Sequence, residues 1–415
     1  MTETGTVVVP APDPPGMYLT GLRRFGPLTL LGALSWALPA AASGTLLQAL
    51  FARMDAADKI KMTAIVSTVA AIAGAAAVVV AGALSDRTRS RFGPRKPWIL
   101  GGALAGAVSL GLAAAVQRLW WIVVCYALFQ LGLNCMVAAL SALLPDRVGA
   151  SLLGRASAFG GLGNLLGNAV GAAVAGGFLS APRLGLALAP WTMVAVALIF
   201  WGYLPSRPNT DVPRPPLSGL WRSLRPPADR DFWLVFLGRV AFLLALLVVF
   251  AYQLYLLTDY FHATQRQTAA MIGASGLVLA LGAGLATVLT GFLSDRAGRR
   301  KPFLVGAAGF MAVTSLVPLF VHSAGVFLPF LGVVALAYGT FISVDQALMV
   351  EVLPSRDNSA RDLGFLTVAN TAPGIVAPGL AGVLVATLGY PALFVAGIAL
   401  ALVAVACIAA VRRVR

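Results

Sequence analysis

Two ionisable side chains lie deep inside long apolar segments of this sequence. Asp345 lies nine positions before Pro354, and Arg239 lies about eight residues into the apolar segment that begins near residue 232. The rise of an α-helix places both side chains roughly 12 to 13 Å from the same end of their segments. A buried carboxylate beside a guanidinium can exchange a proton and act as a switch. It can also form a static ion pair that pins two helices together, so both interpretations stay open.

Amide, hydroxyl and aromatic side chains recur in three of the apolar segments. In two of them the spacings of four and seven residues place these side chains on one helical face. Such groups can hydrogen-bond and stack on a sugar ring or on an aromatic solute alike, although singly they also serve as contacts between helices. The residues that we predict to contact a solute are Trp36, Ser43, Gln130, Asn134, Ser141, Tyr252, Gln253 and Tyr255.

A charged turn occurs twice in the chain. The hexapeptide G-A-L-S-D-R begins at Gly82, and G-F-L-S-D-R begins at Gly291, 209 residues later. G-P-R-K-P-W follows the first copy and G-R-R-K-P-F follows the second. Asn164 and Asn370 correspond at a similar offset of 206. The two halves of the chain are therefore parallel repeats, which is one architecture of secondary transporters.

Composition identifies the solvent of these repeats as a lipid bilayer. Hydrophobic residues make up 59% of the chain and charged residues 11%, and the mean hydropathy is +0.87. About twelve apolar runs of roughly 20 residues can each cross ~30 Å of hydrocarbon. We predict a flexible cytoplasmic tail at 1–25, a six-helix half at 26–204, a cytoplasmic linker at 205–231, a second six-helix half at 232–411 and a short tail at 412–415.

The distribution of basic residues predicts the orientation. If both termini are cytoplasmic, 23 of the 30 Lys and Arg residues lie on the inner side, six lie outside and Arg239 lies within a span. This bias follows the positive-inside rule. It explains the net charge of +15 without a nucleic-acid partner. We therefore expect a multi-pass protein of the plasma membrane with both ends in the cytoplasm.

The sequence offers little material for an enzyme. Cys125, Cys135 and Cys407 lie in predicted spans, and His262 and His322 fall in outer loops. A metal centre or a His-based catalytic group would have to be assembled from isolated residues. We predict neither an enzyme nor a cofactor or metal site.

The paired G-x-L-S-D-R turns, their half-chain offset and the twelve spans resemble the major facilitator superfamily over essentially the whole chain. This resemblance implies an all-α integral membrane fold of twelve transmembrane helices in two parallel six-helix repeats. The turn from Ser85 to Trp98, the stretch Y-L-L-T-D-Y from Tyr255 to Tyr260 and the A-L-L-P-D run ending at Asp146 look like the sugar:cation symporter and sucrose-transporter branch.

The resemblance also suggests a role for the charged turns. In the superfamily the first acid latches against the cytoplasmic start of helix eleven, which here is near residues 361–364. We expect Asp86 and Arg87 to clamp the inner gate in the outward-facing state and to release it as the halves rock. Topogenic turns are the alternative. The predicted gating residues, with glycines that permit close backbone approach, are Gly82, Asp86, Arg87, Gly291, Asp295 and Arg296.

These features together predict a secondary active transporter that works by alternating access. We expect proton-coupled uptake of a sugar or glycoside, with efflux of a hydrophobic small molecule or drug by proton antiport as the alternative. A transporter-like sensor that binds without translocating is a third class. The expected partners are a small-molecule solute, a proton or another cation, and the lipid bilayer, and we expect the protein to function as a monomer.

Overall fold

The computed structural model describes residues 22–204, 229–352 and 359–412. Within these ranges every regular element is helical, and twelve helices are long and apolar enough to cross a membrane. The predicted all-α fold of twelve transmembrane helices is therefore confirmed. The tails and the linker expected from the sequence lie almost entirely outside the described residues, although the first helix already begins at Leu22 and the seventh at Arg230.

The first half of the chain forms six membrane-spanning helices. Five of them are continuous, and the sixth is divided at Ala189 and Pro190 into two segments. The helices are α1 (Leu22–Met54), α2 (Lys59–Arg87), α3 (Lys96–Ala115), α4 (Leu119–Arg147), α5 (Ala150–Gly177) and α6 (Pro182–Leu188 with Trp191–Tyr203).

The second half repeats this arrangement with two local departures. A short turn and a π-helical segment, Gln253–Tyr255 and Leu256–Tyr260, follow α7, and a one-turn 3₁₀ segment precedes α10. The helices are α7 (Arg230–Phe250), α8 (Gln265–Ala297), α9 (Lys301–Thr314 with Val317–Phe320), α10 (Phe327–Val352), α11 (Ser359–Leu388) and α12 (Pro391–Ala409).

The lysine of each K-P-aromatic sequence has the same structural task in its half. Lys96 begins α3 and donates hydrogen bonds to the carbonyl oxygens of Trp201 and Leu204 at the end of α6, at 3.0 and 2.5 Å. Lys301 begins α9 and donates to the carbonyl of Val411 after α12, at 2.9 Å. A cation there satisfies carbonyls that the end of a helix leaves unpaired. The repeated motif thus fastens the third helix of each half to its last.

Glycines spaced four residues apart pack α5 against α1. A Cβ added at Gly167 would lie 2.7 Å from the Cβ of Ala37, and Cβ atoms at Gly163 and Gly171 would collide with the backbone of α1. In contrast, a Cβ at the neighbouring Gly161 would meet no atom within 4 Å. Small residues on one face therefore allow the two backbones to approach closely, as is common between membrane helices.

The two halves meet along two helix pairs, α5 with α8 and α2 with α11. A Cβ at Gly276 of α8 would lie 2.7 Å from the carbonyl oxygen of Asn168 of α5. A Cβ at Gly382 of α11 would lie 2.7 Å from the Cβ of Ala64 of α2. Because α1 starts and α12 ends on the same side of the helix bundle, we call that side the terminal side and the other the opposite side.

Candidate functional site

A cavity of about 460 Å³ lies between the two halves and is called the central cavity. Helices α1, α2 and α5 line it from the first half, and α7, α8, α10 and α11 line it from the second. Much of the wall is apolar, as at Leu246, Phe250 and Leu279, and none of the described lining residues is ionisable. Its polar side chains are Thr45, Gln48, Ser67, Asn168, Gln253 and Ser275.

Gln253 lines this cavity and carries an unsatisfied hydrogen-bond donor. Its Nε2 atom is buried and has no hydrogen-bond partner among the described residues. The residue lies directly after α7 ends, where Tyr252 leaves the helical conformation and the short Gln253–Tyr255 turn begins. An unsatisfied buried amide costs about 1–3 kcal/mol, so a solute that accepts this hydrogen bond would recover part of that cost.

Tyr252 and Tyr255, which the sequence assigned to solute contact, lie outside the central cavity wall and join the halves at the opposite side. Both side chains are fully buried. The Tyr255 hydroxyl donates to the carbonyl oxygen of Gln48 at 2.9 Å and lies 3.1 Å from the Thr63 hydroxyl. The Tyr252 hydroxyl donates to the carbonyl of Pro378 at 3.1 Å. Their polar groups are therefore occupied by helix contacts.

The Gln48 side chain extends the same junction. Its Nε2 donates to the carbonyl oxygen of Ala251 at 2.9 Å, and its Oε1 accepts from the backbone N–H of Leu254 at 3.1 Å. Both partners belong to the broken backbone after α7, where helical hydrogen bonds are missing. One amide of the first half thus satisfies two backbone groups of the second.

An ion pair completes the junction. The Lys59 ammonium lies 2.6 Å from the Asp259 carboxylate, which also accepts a hydrogen bond from the Tyr390 hydroxyl at 2.7 Å. Burial alone raises the pKa of the Asp259 carboxyl, but hydrogen bonds from Lys59, Tyr390 and Thr258 outweigh burial and hold that pKa below its usual value. We call this cluster the opposite-side lock, formed by Gln48, Lys59, Thr63, Tyr255, Asp259 and Tyr390.

The sequence predicts solute contact for Tyr255 but no transport role for the other five residues of the lock. Asp259 near a helix end is ordinarily satisfied by water or a loop cation, and no local pattern connects it to Lys59, 200 residues away. The only signal was the Tyr255–Tyr260 stretch, which was noted for its resemblance to sugar carriers.

The other predicted solute contacts fall in three different surroundings. The Ser43 hydroxyl is buried and lies 3.3 Å from the Tyr126 hydroxyl. The Asn134 side chain donates to the Gln130 carbonyl oxygen at 2.8 Å, and both residues pack beside Gly74 of α2. The last two line a separate cavity inside the first half, and they are Trp36 and Ser141. Of the eight predicted residues, the structure therefore places Gln253 alone in the wall of the central cavity.

Arg239 and Asp345 form an ion pair between α7 and α10. Each residue is 1% exposed, and the Arg239 guanidinium donates from Nη1 to the Asp345 carboxylate. The Arg239 Nε donates to the side-chain oxygen of Asn370 on α11 at 2.7 Å. Asn370 itself is exposed, so the charge pair joins α7 and α10 and is hydrogen-bonded to an exposed side chain of α11.

The predicted gating residues occupy the terminal side. Among the described residues, no atom lies within 4 Å of a Cβ built at Gly82, whereas a Cβ at Gly291 would lie 3.1 Å from the Ser343 hydroxyl. Asp295 and Arg296 are exposed, and Arg87 is half-buried. The Asp86 side chain and the side chains at 361–364 lie outside the described residues.

The first charged turn is held within its own half. Arg95 donates from Nη1 to the Ser85 hydroxyl at 2.6 Å, and its Nε lies 3.0 Å from the Asp146 carboxylate at the end of α4. The Trp98 indole N–H donates to the Thr88 hydroxyl at 2.8 Å. The longer turn that suggested the sugar-carrier branch therefore has a structural use, because it ties α2 and α3 to α4.

The comparison with protein families identifies the class. The chain matches the Major Facilitator Superfamily over residues 25–265 and 251–415, and it therefore belongs to this superfamily of membrane transporters. The comparison with curated proteins found no match. The superfamily is thus shown, while the sugar-carrier branch stays a hypothesis.

Solved structures share the fold at low sequence identity. The nucleoside transporter NupG is 14% identical with a TM-score of 0.69, and the match covers 92% of this chain and 98% of that one. A bacterial homologue of the human lysosomal transporter Spinster, in an inward-facing conformation, is 15% identical with a TM-score of 0.64 over 94% and 95%. The human organic anion transporter MFSD10 is 18% identical with a TM-score of 0.62 over 93% and 99%.

Proposed function

We propose that this protein is a secondary active transporter that takes up a neutral hydroxylated solute, a sugar or glycoside, together with a proton. The observation that carries the proposal is the central cavity between the halves, with the unpaired Gln253 amide in its wall. A cavity of several hundred Å³ fits a small molecule. A wall that combines amides and hydroxyls with apolar side chains suits a ring whose edge is polar and whose faces are apolar.

The absence of ionisable groups among the described lining residues supports a neutral solute. Burying an unpaired charge in such a cavity would cost far more than the amide and hydroxyl contacts could offset. The nucleoside specificity of NupG, named for that protein, is compatible with the same class of neutral hydroxylated ligands.

Alternating access accounts for the asymmetry of the contacts between the halves. The opposite-side lock joins the halves, while on the terminal side no described residue lies within 4 Å of a Cβ built at Gly82. We infer that this state is open to the terminal side. Rocking of the halves would break the lock and bring Gly82 against the second half. Asp86 and Arg87 would then clamp the terminal side. The basic bias assigns that side to the cytoplasm of a plasma membrane protein.

The Arg239–Asp345 pair is the proposed coupling site. A carboxylate deep in a membrane protein is costly and usually functional. Protonation of Asp345 would release Arg239 from that carboxylate, and Arg239 also donates to Asn370 on α11. Because α11 packs against α2 of the first half, a change in this hydrogen bond alters the contact between the halves and so affects the rocking motion.

The test is the internal pH of proteoliposomes that hold wild type or Asp345→Asn while a panel of mono- and disaccharides and phenyl glycosides is added outside. We expect one solute to acidify the lumen in wild type and not in Asp345→Asn, which should keep solute counterflow. Loss of counterflow as well would favour a static ion pair. Binding without any flux would favour a sensor.

Efflux of a hydrophobic molecule by proton antiport is the second candidate. The apolar side of the central cavity, including Leu246, Leu247 and Phe250, favours it. It would be supported if no sugar or glycoside changed the lumenal pH but an apolar compound alkalinised a lumen that had been acidified beforehand.

A further inference from the structure

A second cavity, which we call the N-half pocket, lies within the first half between α1, α4, α5 and α6. Its volume is about 290 Å³, and it is separate from the central cavity. None of its described lining residues is ionisable. The lining residues that matter here are Thr29, Ala33, Trp36, Ser141, Gly160 and Asn164.

The internal repeat shows what occupies the equivalent place in the second half. Gly32 of α1 and Gly238 of α7 are 206 residues apart, the same offset as Asn164 and Asn370. A Cβ at Gly32 would lie 3.2 Å from the Phe200 ring of α6, and one at Gly238 would lie 3.0 Å from Ile408 of α12. The first helix of each half therefore packs against the last helix at the same glycine.

The next residue in each helix differs in a way that explains the pocket. Ala33 follows Gly32, whereas Arg239 follows Gly238. In the second half the equivalent space is occupied by the Arg239 guanidinium, which donates to Asp345 and, at 2.7 Å, to the side-chain oxygen of Asn370. Ala33 carries only a methyl group. The first half consequently has an open volume beside Asn164. In the second half the equivalent position, beside Asn370, is taken by the Arg239 donor.

The N-half pocket also adjoins the central cavity. Trp36 lines the pocket and Ala40, one helical turn along α1, lines the central cavity. On α5, Asn164 lines the pocket and Asn168 lines the central cavity, and the Asn168 amide donates to the Asn164 side-chain oxygen at 3.2 Å. A solute that moves between the two cavities therefore passes from the amide of Asn168 to the amide of Asn164 along α5.

We propose that the N-half pocket is a second binding site for a neutral hydroxylated solute, used on the terminal side of the central cavity. A ligand hydroxyl takes the place of the Arg239 donor and is accepted by the Asn164 side-chain oxygen, while the ligand ring lies against Trp36. The Ser141 hydroxyl is exposed and offers a further contact. This inference rests on the proposed function for the class of solute, but it predicts binding that can be measured without transport.

Gly160 and Gly161 provide a matched pair of variants. Gly160 lines the pocket and Gly161 does not, and a Cβ at either position would meet no atom within 4 Å. Gly160→Leu should therefore fill the pocket without displacing neighbouring atoms, while Gly161→Leu makes the same chemical change on the same helix. Ser157→Phe, at an exposed lining residue, fills the pocket from one helical turn earlier.

The experiment is equilibrium binding of radiolabelled phenyl β-D-glucoside to the purified full chain. We expect two molecules bound per chain in wild type and in Gly161→Leu, and one in Gly160→Leu and in Ser157→Phe. Gln253→Leu, which alters the central cavity, should still bind two molecules at saturation, with weaker affinity for one of them. The thermal midpoint of Gly160→Leu should match that of Gly161→Leu, and if it does not, Ser157→Phe decides.

Two molecules bound to both pocket-filling variants, or at most one bound to wild type, would overturn the second site. Failure of the proposed function looks different. In that case wild type binds two molecules and Gly160→Leu binds one, but no glycoside is carried into proteoliposomes by a proton gradient.

Discussion

The cost of burying Arg239 depends on whether Asp345 is present. Removing the carboxylate leaves an uncompensated guanidinium that is 1% exposed. We expect Asp345→Leu alone to lower the free energy of unfolding by about 3–5 kcal/mol, and Arg239→Met with Asp345→Leu to restore most of it. The measurement is the thermal unfolding of the single and double variants in detergent. Additive losses in the double variant would show that the two charges do not stabilise each other.

Gln253 has a measurable consequence for solute affinity. If its free Nε2 donates to the solute, Gln253→Leu should weaken binding by about 1–2 kcal/mol, which is roughly a factor of 5 to 30. Gln130→Leu is the control, because Gln130 is a predicted solute contact that packs beside Gly74 and does not line the central cavity. Equal loss of affinity in both variants would contradict the assignment of the central cavity.

At the scale of the helices, α1 and α5 pack closely because glycines leave one face of α5 without side chains. Gly163→Leu must push the Leu30 backbone of α1 away, whereas Gly161→Leu extends into open space. Overpacking of this kind costs about 1–3 kcal/mol or more. We therefore expect the thermal midpoint to fall for Gly163→Leu and to stay near the wild-type value for Gly161→Leu. Equal midpoints would mean that the two helices do not pack at Gly163.

The opposite-side lock should not respond to pH in the physiological range. Because the pKa of Asp259 is lowered, its carboxylate stays charged and the ion pair with Lys59 stays intact above the usual aspartate value of about 4. The stability of the lock should be lost only as the pH falls through that lowered pKa. Spin labels at the exposed residues Ala57 and Arg266 should give the same distance at pH 5 and pH 8. A distance that increases at pH 5 would contradict this assignment.

At the scale of the whole molecule, the sequence predicted the fold because hydropathy, repeat offset and charge bias all describe single helices and their order. It could not predict the lock, since Lys59 and Asp259 meet only when two six-helix halves come together. Helical spacing also could not separate cavity residues from packing residues. Asn134 and Gln253 are both amides in apolar surroundings, but Asn134 has a partner in its own helix, whereas the amide nitrogen of Gln253 has none.

The K-P-aromatic motifs give a second example of contacts that the sequence could not predict. Their repetition was visible in the sequence, but the hydrogen bonds from Lys96 to α6 and from Lys301 to α12 depend on where the last helix of each half ends. The pairing of Arg239 with Asp345 followed from equal depth on helices seven and ten. The contribution of Asn370 required the position of α11, which no local pattern defines.

Alternating access is the central claim, and two distances measured in the same protein test it most directly. One pair of spin labels, at Ala57 and Arg266, reports the opposite side, and the other, at Gly154 and Ala297, reports the terminal side; all four residues are exposed. Asp259→Asn weakens the lock, so we predict a population with a longer opposite-side distance and a shorter terminal-side distance than in wild type. An opposite-side distance that increases while the terminal-side distance stays unchanged would contradict the account.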